Sequence, residues 1–515
     1  MAFARVYSAQ TELLSGRIVS VEIDTSRGLN NFSIVGLPDR AVDEARDRVG
    51  SALKNSGYES PKTKNQKTVV SLSPADLKKE GAHFDLSIAI CFLIAEGLPH
   101  EIELNKTLFV GELGLDGEVR SVRGVLAIAL SARDAGFTHI FVPKDNAEEA
   151  SLVDSITIYP VSHFKELVDH ISKANQTKKI SPWVNSSHIA ETIPNNETDF
   201  GDIVGNESAK RGLIIAASGG HNVLLYGPPG TGKTMLARAL SGILPKLDAQ
   251  KSIEVTTIQS IAGTLGKSTK ITKAPFRAPH HTSSYVSVIG GGSFPRPGEV
   301  TLAHHGVLFL DEFPEFDRRV IESLREPLEE QKVSIARAKG SAVFPAEFLF
   351  VGAMNPCPCG YKGSKMKSCT CTMADLVKYK RKLSGPLLDR IDIALFVGEI
   401  AYDKLANAKS KNESKEIQSK VEAVRKIAYL RAEKNGLARK PNGSLKSKEL
   451  VKVAELIPES EKILNESAKK LFLSARSYHR TQKLARTIAD LSGSENILPE
   501  HILEAIRYRP QFDQF

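Results

Sequence analysis

Residues 227–234 read Gly227-Pro228-Pro229-Gly230-Thr231-Gly232-Lys233-Thr234. They stand between the apolar run Val223-Leu224-Leu225-Tyr226 and the helix-forming Met235-Leu236-Ala237-Arg238-Ala239-Leu240. A buried strand, a glycine-rich turn and a helix start, in that order, make a phosphate-binding loop. Glycines let backbone N–H groups close around phosphates, and the helix N-terminus adds positive partial charge. Lys233 then reaches the β- and γ-phosphates, and the Thr234 hydroxyl ligates Mg²⁺. The chain is expected to bind a nucleoside triphosphate.

Working outward, Gly306-Val307-Leu308-Phe309-Leu310-Asp311-Glu312 is an apolar strand ending in two carboxylates. Beside a phosphate loop, Asp311 holds Mg²⁺ and Glu312 polarises the attacking water. Leu349-Phe350-Val351-Gly352-Ala353-Met354-Asn355 is a further buried strand with a polar terminus. Val333 to Arg337 alternates as a strand, Lys339-Gly340-Ser341 turns, and Ala342-Val343-Phe344-Pro345 returns, which predicts a β-hairpin.

A chain of 515 residues divides into two to four domains. No run approaches the roughly 18–20 apolar residues of a membrane span, and Met1 to Ser8 lacks the basic start and apolar core of a signal peptide. A cytoplasmic protein without membrane contact is expected. The net charge of +9 permits an acidic partner such as nucleic acid.

Four of the five cysteines form two Cys-x-Cys pairs, Cys357/Cys359 and Cys369/Cys371. Four thiolates at such spacing can close tetrahedrally around a structural Zn²⁺; free thiols or a redox-sensitive clasp are the alternatives. Cys91, in an apolar helix, belongs to a core. The adjacent His280 and His281 are metal ligands or loop and subunit contacts; without a third partner, contacts are favoured.

Residues 1–170 form an α/β domain. Ser20–Ile23 and Asn31–Val35 are expected to pair as a hairpin, with helices at Ala41–Ser56, Asp85–Glu96 and within Ser121–Gly136. Further strands are expected at Lys67–Leu72, Leu108–Val110 and Ile140–Pro143. Residues 171–198 have linker composition around Trp183, the core runs over 199–412, and 413–515 is helical.

Three words in the first domain, Gly36-Leu37-Pro38-Asp39, Ser73-Pro74-Ala75-Asp76-Leu77-Lys78-Lys79-Glu80-Gly81 and Gly111-Glu112-Leu113-Gly114-Leu115-Asp116-Gly117, resemble the ComM (YifB-type, Mg-chelatase-like) AAA+ ATPases. The resemblance covers nearly the whole chain. It implies a Lon-protease-like (ribosomal S5 domain 2-like) N-terminal domain, an α/β AAA+ core and a helical lid. The core would carry a helix-2 insert over about 254–300 and a pre-sensor hairpin. Lys79-Glu80-Gly81-Ala82-His83 and Leu126 occupy the positions of the Lon-type serine and lysine, so no peptidase activity is expected.

For the site, the resemblance implies that Ile203 and Val204, in Asp199–Gly205, lie beside adenine and that Asn355 is sensor 1. In Ser384-Gly385-Pro386-Leu387-Leu388-Asp389-Arg390, Arg390 would be an arginine finger acting on a neighbouring subunit. Arg476 would be the sensor 2 arginine, in cis or in trans, while Arg480 and Arg486 are structural or DNA-facing. Arg337 and Lys339 at the hairpin tip would track DNA phosphates. The function so implied is a ring helicase, usually six subunits, hydrolysing ATP with Mg²⁺ to promote branch migration during recombination in natural transformation. A metal-inserting chelatase subunit and a protein-remodelling ATPase are the alternatives.

Overall fold

The computed structural model describes residues 2–63, 65–173, 179–184, 198–266, 270–292, 295–337, 340–364, 367–383, 385–400 and 412–509. The chain forms two units, 1–192 with 249–271, and 193–248 with 272–515.

In the first unit, β1 (Ala2–Glu12) and β2 (Ser15–Arg27) pair antiparallel from Ala2↔Thr25 to Glu12↔Ser15, turning at Leu13-Leu14. The hairpin expected between 20–23 and 31–35 is not formed. Instead β3 (Asn31–Val35) runs parallel to β4 (Gln66–Ser73), and β4 pairs antiparallel with β2. The cause is the helix Arg40–Asn55, a crossover that returns the chain alongside β3 and inserts β4 between the two expected partners. With β5 (Thr107–Phe109), a small ribbon of β6 (Glu112–Leu113) and β7 (Val119–Arg120), β8 (His139–Pro143) and β9 (Thr157–Val161), the main sheet has the order β3-β4-β2-β1-β5-β8-β9.

The helix Asp85–Ala95 is apolar on every face, so it is buried on every face. Ile88, Ile90 and Phe92 pack in one cluster with Val6, Val21 and Val49, each worth about 1.5–3 kcal/mol when fully removed from water. Its start gathers the three characteristic words. Asp39 N–H donates to the Lys79 carbonyl at 2.9 Å, and Gly111 N–H to His83 O at 3.1 Å. Asp85, buried, accepts from Leu113 N at 3.2 Å and from Arg48 Nε at 2.6 Å. Leu126, at the expected lysine position, lies in a second apolar cluster.

Sequence boundaries place 249–271 in the ATPase core, whereas the structure joins it to the first unit. The helix Ala249–Ala262 has Val255 and Ile258 buried. Its Ser260 hydroxyl donates to Glu149 at 2.7 Å, and Glu149 in turn accepts from Leu126 N at 2.9 Å. Trp183 N–H donates to Ile158 O at 2.8 Å, and its ring packs on the apolar cluster around Leu126.

The second unit is built on β10 (Val223–Tyr226), β11 (Phe276–Arg277), β14 (Val307–Leu310), β17 (Leu349–Met354) and β18 (Ile393–Phe396). A short ribbon of β12 (Gly290–Gly291) and β13 (Arg296–Pro297) precedes β14. Another, β15 (Lys332–Arg337) with β16 (Gly340–Pro345), precedes β17. The five-stranded sheet is parallel, in the order β11-β14-β17-β10-β18. β14 and β17 are buried at every position, as strands covered on both faces must be.

Among the described residues, five α-helices follow residue 412, from Ser414–Lys434 to Pro499–Arg507. Leu484 and Ile488 of the helix Ala475–Leu491 share one apolar cluster with Val223 and Leu395. Buried His221 adds a polar tie, its Nε2 lying 2.8 Å from Thr487 Oγ1. Arg486 is structural: it bonds Asp490 at 3.1 Å and the Ser494 and Glu495 carbonyls at 2.7 Å.

Candidate nucleotide site and cysteine cluster

The carboxyl ends of β10, β14 and β17 deliver the loop 227–234, the Asp311-Glu312 pair and Asn355 to one edge of the sheet, where ligands bind in open α/β folds. Gly227 is required by close approach: a Cβ there would lie 2.1 Å from the Val397 carbonyl oxygen. The cavity at this edge has a volume of about 790 Å³ and is lined by 229–235, Phe276, Pro279, His281, Asp311, Glu312 and Asn355, among others.

Lys233 Nζ donates to Gly227 O at 2.8 Å, to Pro228 O at 2.7 Å and to Asn355 Oδ1 at 3.2 Å. Burial lowers its pKa, with Asp311 opposing. A triphosphate would supply the negative charge that this desolvated ammonium favours. Thr234 Oγ1 donates to Asp311 Oδ2 at 2.7 Å, so the two oxygens expected on Mg²⁺ already converge. Asp311 Oδ1 accepts from Glu312 N at 2.9 Å. Glu312 itself is left-handed at φ 50, ψ 41, a conformation costing a non-glycine residue about 1–2 kcal/mol. Its Oε2 lies 3.1 Å from His281 Nδ1. His281 therefore contacts the candidate water-activating carboxylate, while His280 Nδ1 lies 2.8 Å from Thr282 Oγ1.

Ile203 packs in the core of the second unit, and neither it nor Val204 lines the cavity. Arg390 and Arg476 are also away from it. Arg390 precedes β18, at the amino end of the sheet, opposite Lys233. Both arginines bond the same carboxylate, Glu329, which has no local sequence signature. Arg480 is tied to Ile391 O at 2.9 Å and Asp392 Oδ1 at 3.5 Å, an anchoring role. The hairpin forms, but Gly340 and Ser341, expected in the turn, pair in β16 opposite Arg337 and Ala336; Lys339 and the Arg337 side chain lie outside the described residues.

The four thiols meet. Cys357 Sγ is 3.4 Å from Cys359 Sγ and 3.7 Å from Cys369 Sγ, and the four ligand atoms all lie within 4.8 Å of one another. Sulfurs about 2.3 Å from a tetrahedral zinc are about 3.8 Å apart, so the donor set is compatible with a closed structural site. Backbone N–H groups of Tyr361 and Thr370 pull the Cys359 thiol down to about 5; burial pushes the Cys357 thiol up, opposed by Lys362 N, which donates to its Sγ at 3.3 Å. Such bonds favour thiolates. The segment also touches the nucleotide site. Gly360, at φ +85, would place a Cβ 3.0 Å from Pro229 Cδ, and Tyr379 in the following helix donates to Asn355 O at 3.1 Å.

Comparison with known proteins agrees with this architecture. Residues 199–405 match the family described as "Magnesium chelatase, subunit ChlI", 21–146 "Subunit ChlI of Mg-chelatase", and 411–509 "Magnesium chelatase, subunit ChlI C-terminal". "Competence protein ComM" of Haemophilus influenzae is 40% identical over 511 residues, covering 99% of this chain and 98% of that protein. The chain belongs to the ComM/YifB-type, magnesium-chelatase-like family. The uncharacterized YifB of Salmonella typhimurium is 38% identical over 99% of this chain and 97% of its own length. A shorter similarity, 26% over 208 residues, reaches "DNA replication licensing factor Mcm6" of Drosophila melanogaster, covering 38% of this chain and 22% of that one. Membership implies an AAA+ ATPase using ATP and Mg²⁺. Among the described residues no helix is long and apolar enough to cross a membrane.

Proposed function

We propose that this protein is a ring-forming, ATP-driven DNA motor that promotes branch migration in homologous recombination during natural transformation, acting in the cytoplasm with other recombination proteins. The carrying observation is the ribbon β15–β16, inserted directly before the strand that leads into Asn355 and pairing only with itself among the described residues. A ribbon so placed offers a lever from a polymer to the nucleotide site. The similarities to a competence protein and to a replication licensing factor support DNA as that polymer, and Arg337 and Lys339 are assigned to its phosphates.

In this reading, Lys233 and the loop bind the β- and γ-phosphates, Thr234 and Asp311 hold Mg²⁺, and Glu312 and Asn355 orient the attacking water. Ile203 and Val204 stay assigned to the adenine side. Arg390 stands at the sheet end opposite its own loop, so it serves a neighbour's nucleotide, and a closed ring, six-membered in our proposal, follows. The first unit is read as a Lon-like module without peptidase chemistry: the Ser87 hydroxyl donates to Phe84 O at 2.7 Å, and Leu126 is packed among apolar side chains.

ATP turnover measured with no DNA, single strands, duplex and a four-way junction tests this. Stimulation of several-fold by single strands or junctions, with strand exchange requiring ATP, is expected. Turnover indifferent to every DNA would favour metal insertion, the second reading, which rests on the chelatase descriptions of all three matched segments. A requirement for a chelatase partner would then mark it.

We also assign a structural Zn²⁺ to Cys357, Cys359, Cys369 and Cys371. Purified protein is expected to carry one zinc per chain by metal analysis. Cys357→Ser is expected to lose most of it and at least about tenfold in ATPase rate, as supporting-shell damage typically costs 10–100-fold. Metal-free protein with full turnover would refute the link.

A further inference from the structure

Glu329 stands at the end of the helix Arg325–Glu330, and its two carboxylate oxygens bond different residues. Oε2 accepts from Arg390 Nη2 and Oε1 from Arg476 Nη2. Arg390 belongs to the sheet unit just before β18, Arg476 to the helix Ala475–Leu491. One side chain therefore gathers guanidinium groups from two distant parts of the sequence. Both arginines hold the Glu329 carboxyl below its ordinary value, Arg390 the more strongly. It remains ionised at neutral pH, leaving the cluster one net positive charge.

The carboxylate is also coupled to the hairpin. Only Glu330 and Gln331 separate Glu329 from Lys332, the first residue of β15. Gln331 turns the chain in a left-handed conformation at φ 55, and its carbonyl accepts from Ala346 N at 2.8 Å, closing the ribbon's base. A displacement of the ribbon bears on Glu329 through this short, hydrogen-bonded connection.

We propose that Glu329 is a positioning residue: a resting counter-ion that holds Arg390 and Arg476 together until a γ-phosphate takes its place, and that displacement of β15–β16 eases its release. Phosphate competes well for such a pair, because it offers more charge and more acceptor oxygens than one carboxylate. Glu329 is 45% exposed and Arg476 41%, so that arm of the grip exchanges readily, while Arg390, 13% exposed, is held more firmly. This inference rests on the proposed motor, in which the two arginines meet a nucleotide and the ribbon meets DNA.

The test is steady-state ATPase of the full chain, with and without single-stranded DNA, for wild type, Glu329→Gln, Glu329→Asp and Glu330→Gln. Glu329→Gln is expected to raise DNA-free turnover about fivefold, as loss of a partly exposed ion pair allows. Its DNA-stimulated rate should stay within about twofold of wild type, so the stimulation ratio collapses toward one. Glu329→Asp, keeping the charge, should lie between, and Glu330→Gln, whose carboxylate is 3.9 Å from Lys332, should behave as wild type. Combining Glu329→Gln with Arg390→Ala should remove the gain. Unchanged DNA-free turnover in Glu329→Gln, or equal loss with and without DNA, would overturn the proposal. Wild type that ignores DNA would instead sink the motor reading, and DNA-free turnover alone would still decide the counter-ion role. Matching thermal unfolding of the variants guards against misfolding; were Glu329→Gln unfolded, Glu329→Asp carries the same test.

Discussion

Lys233→Ala is expected to abolish ATP binding, whereas Glu312→Gln binds ATP normally and stalls before hydrolysis. Lys233 is buried, and its ammonium rests on the Gly227 and Pro228 carbonyls at 2.8 and 2.7 Å and on Asn355 at 3.2 Å. Removing one partner of a buried charge pair costs about 2–5 kcal/mol, or roughly 30- to several-thousand-fold in Kd. Glu312 makes a different contribution. It lies on the cavity wall beside His281 and donates its backbone N–H to Asp311, so the amide variant preserves shape and removes only the base. General-base loss typically lowers turnover about 10²–10⁴-fold. Nucleotide-binding titrations and single-turnover hydrolysis on the two variants separate the effects. Normal turnover by Glu312→Gln would remove Glu312 from this role.

Arg390→Ala is expected to lower turnover about 10³-fold, within the range for arginine fingers, while each altered chain still binds ATP. In the proposed ring, its position before β18, opposite the loop after β10, would put the defect in a neighbouring subunit. Mixing Arg390→Ala chains with Lys233→Ala chains should therefore restore part of the activity. At some interfaces an intact Lys233 then faces an intact Arg390. If assembled mixtures recover nothing across all ratios, the trans assignment fails.

The core of the site was legible because its chemistry is local. A phosphate loop needs glycines, a lysine and a hydroxyl at fixed offsets from a strand, so 227–234 declares itself, as do Asp311 and Asn355 at the ends of apolar runs. The Cys-x-Cys pairs are legible for the same reason: ligand spacing is short, and the four sulfurs meet. The hairpin at 332–345 follows from alternation and a turn.

Long-range pairing was not legible. Residues 20–23 and 31–35 have the composition of a hairpin, but hydrogen-bonding partners are chosen by the crossover helix Arg40–Asn55, which sets β4 between them. The helix Ala249–Ala262 follows the phosphate loop in sequence, yet it groups with the first unit, where its Ser260 reaches Glu149, because packing partners are chosen through space rather than along the chain. His281 at Glu312 and Glu329 between two arginines carry no motif at all; charges meet through space, and their partners lie 31, 61 and 147 positions away. The sequence by itself determined the candidate nucleotide-binding residues and the cysteine donor set, since both depend on neighbours along the chain. Strand order, the home of 249–271 and the carboxylate that gathers Arg390 and Arg476 were decided only by tertiary structure, where packing and Coulomb attraction act without regard to sequence distance.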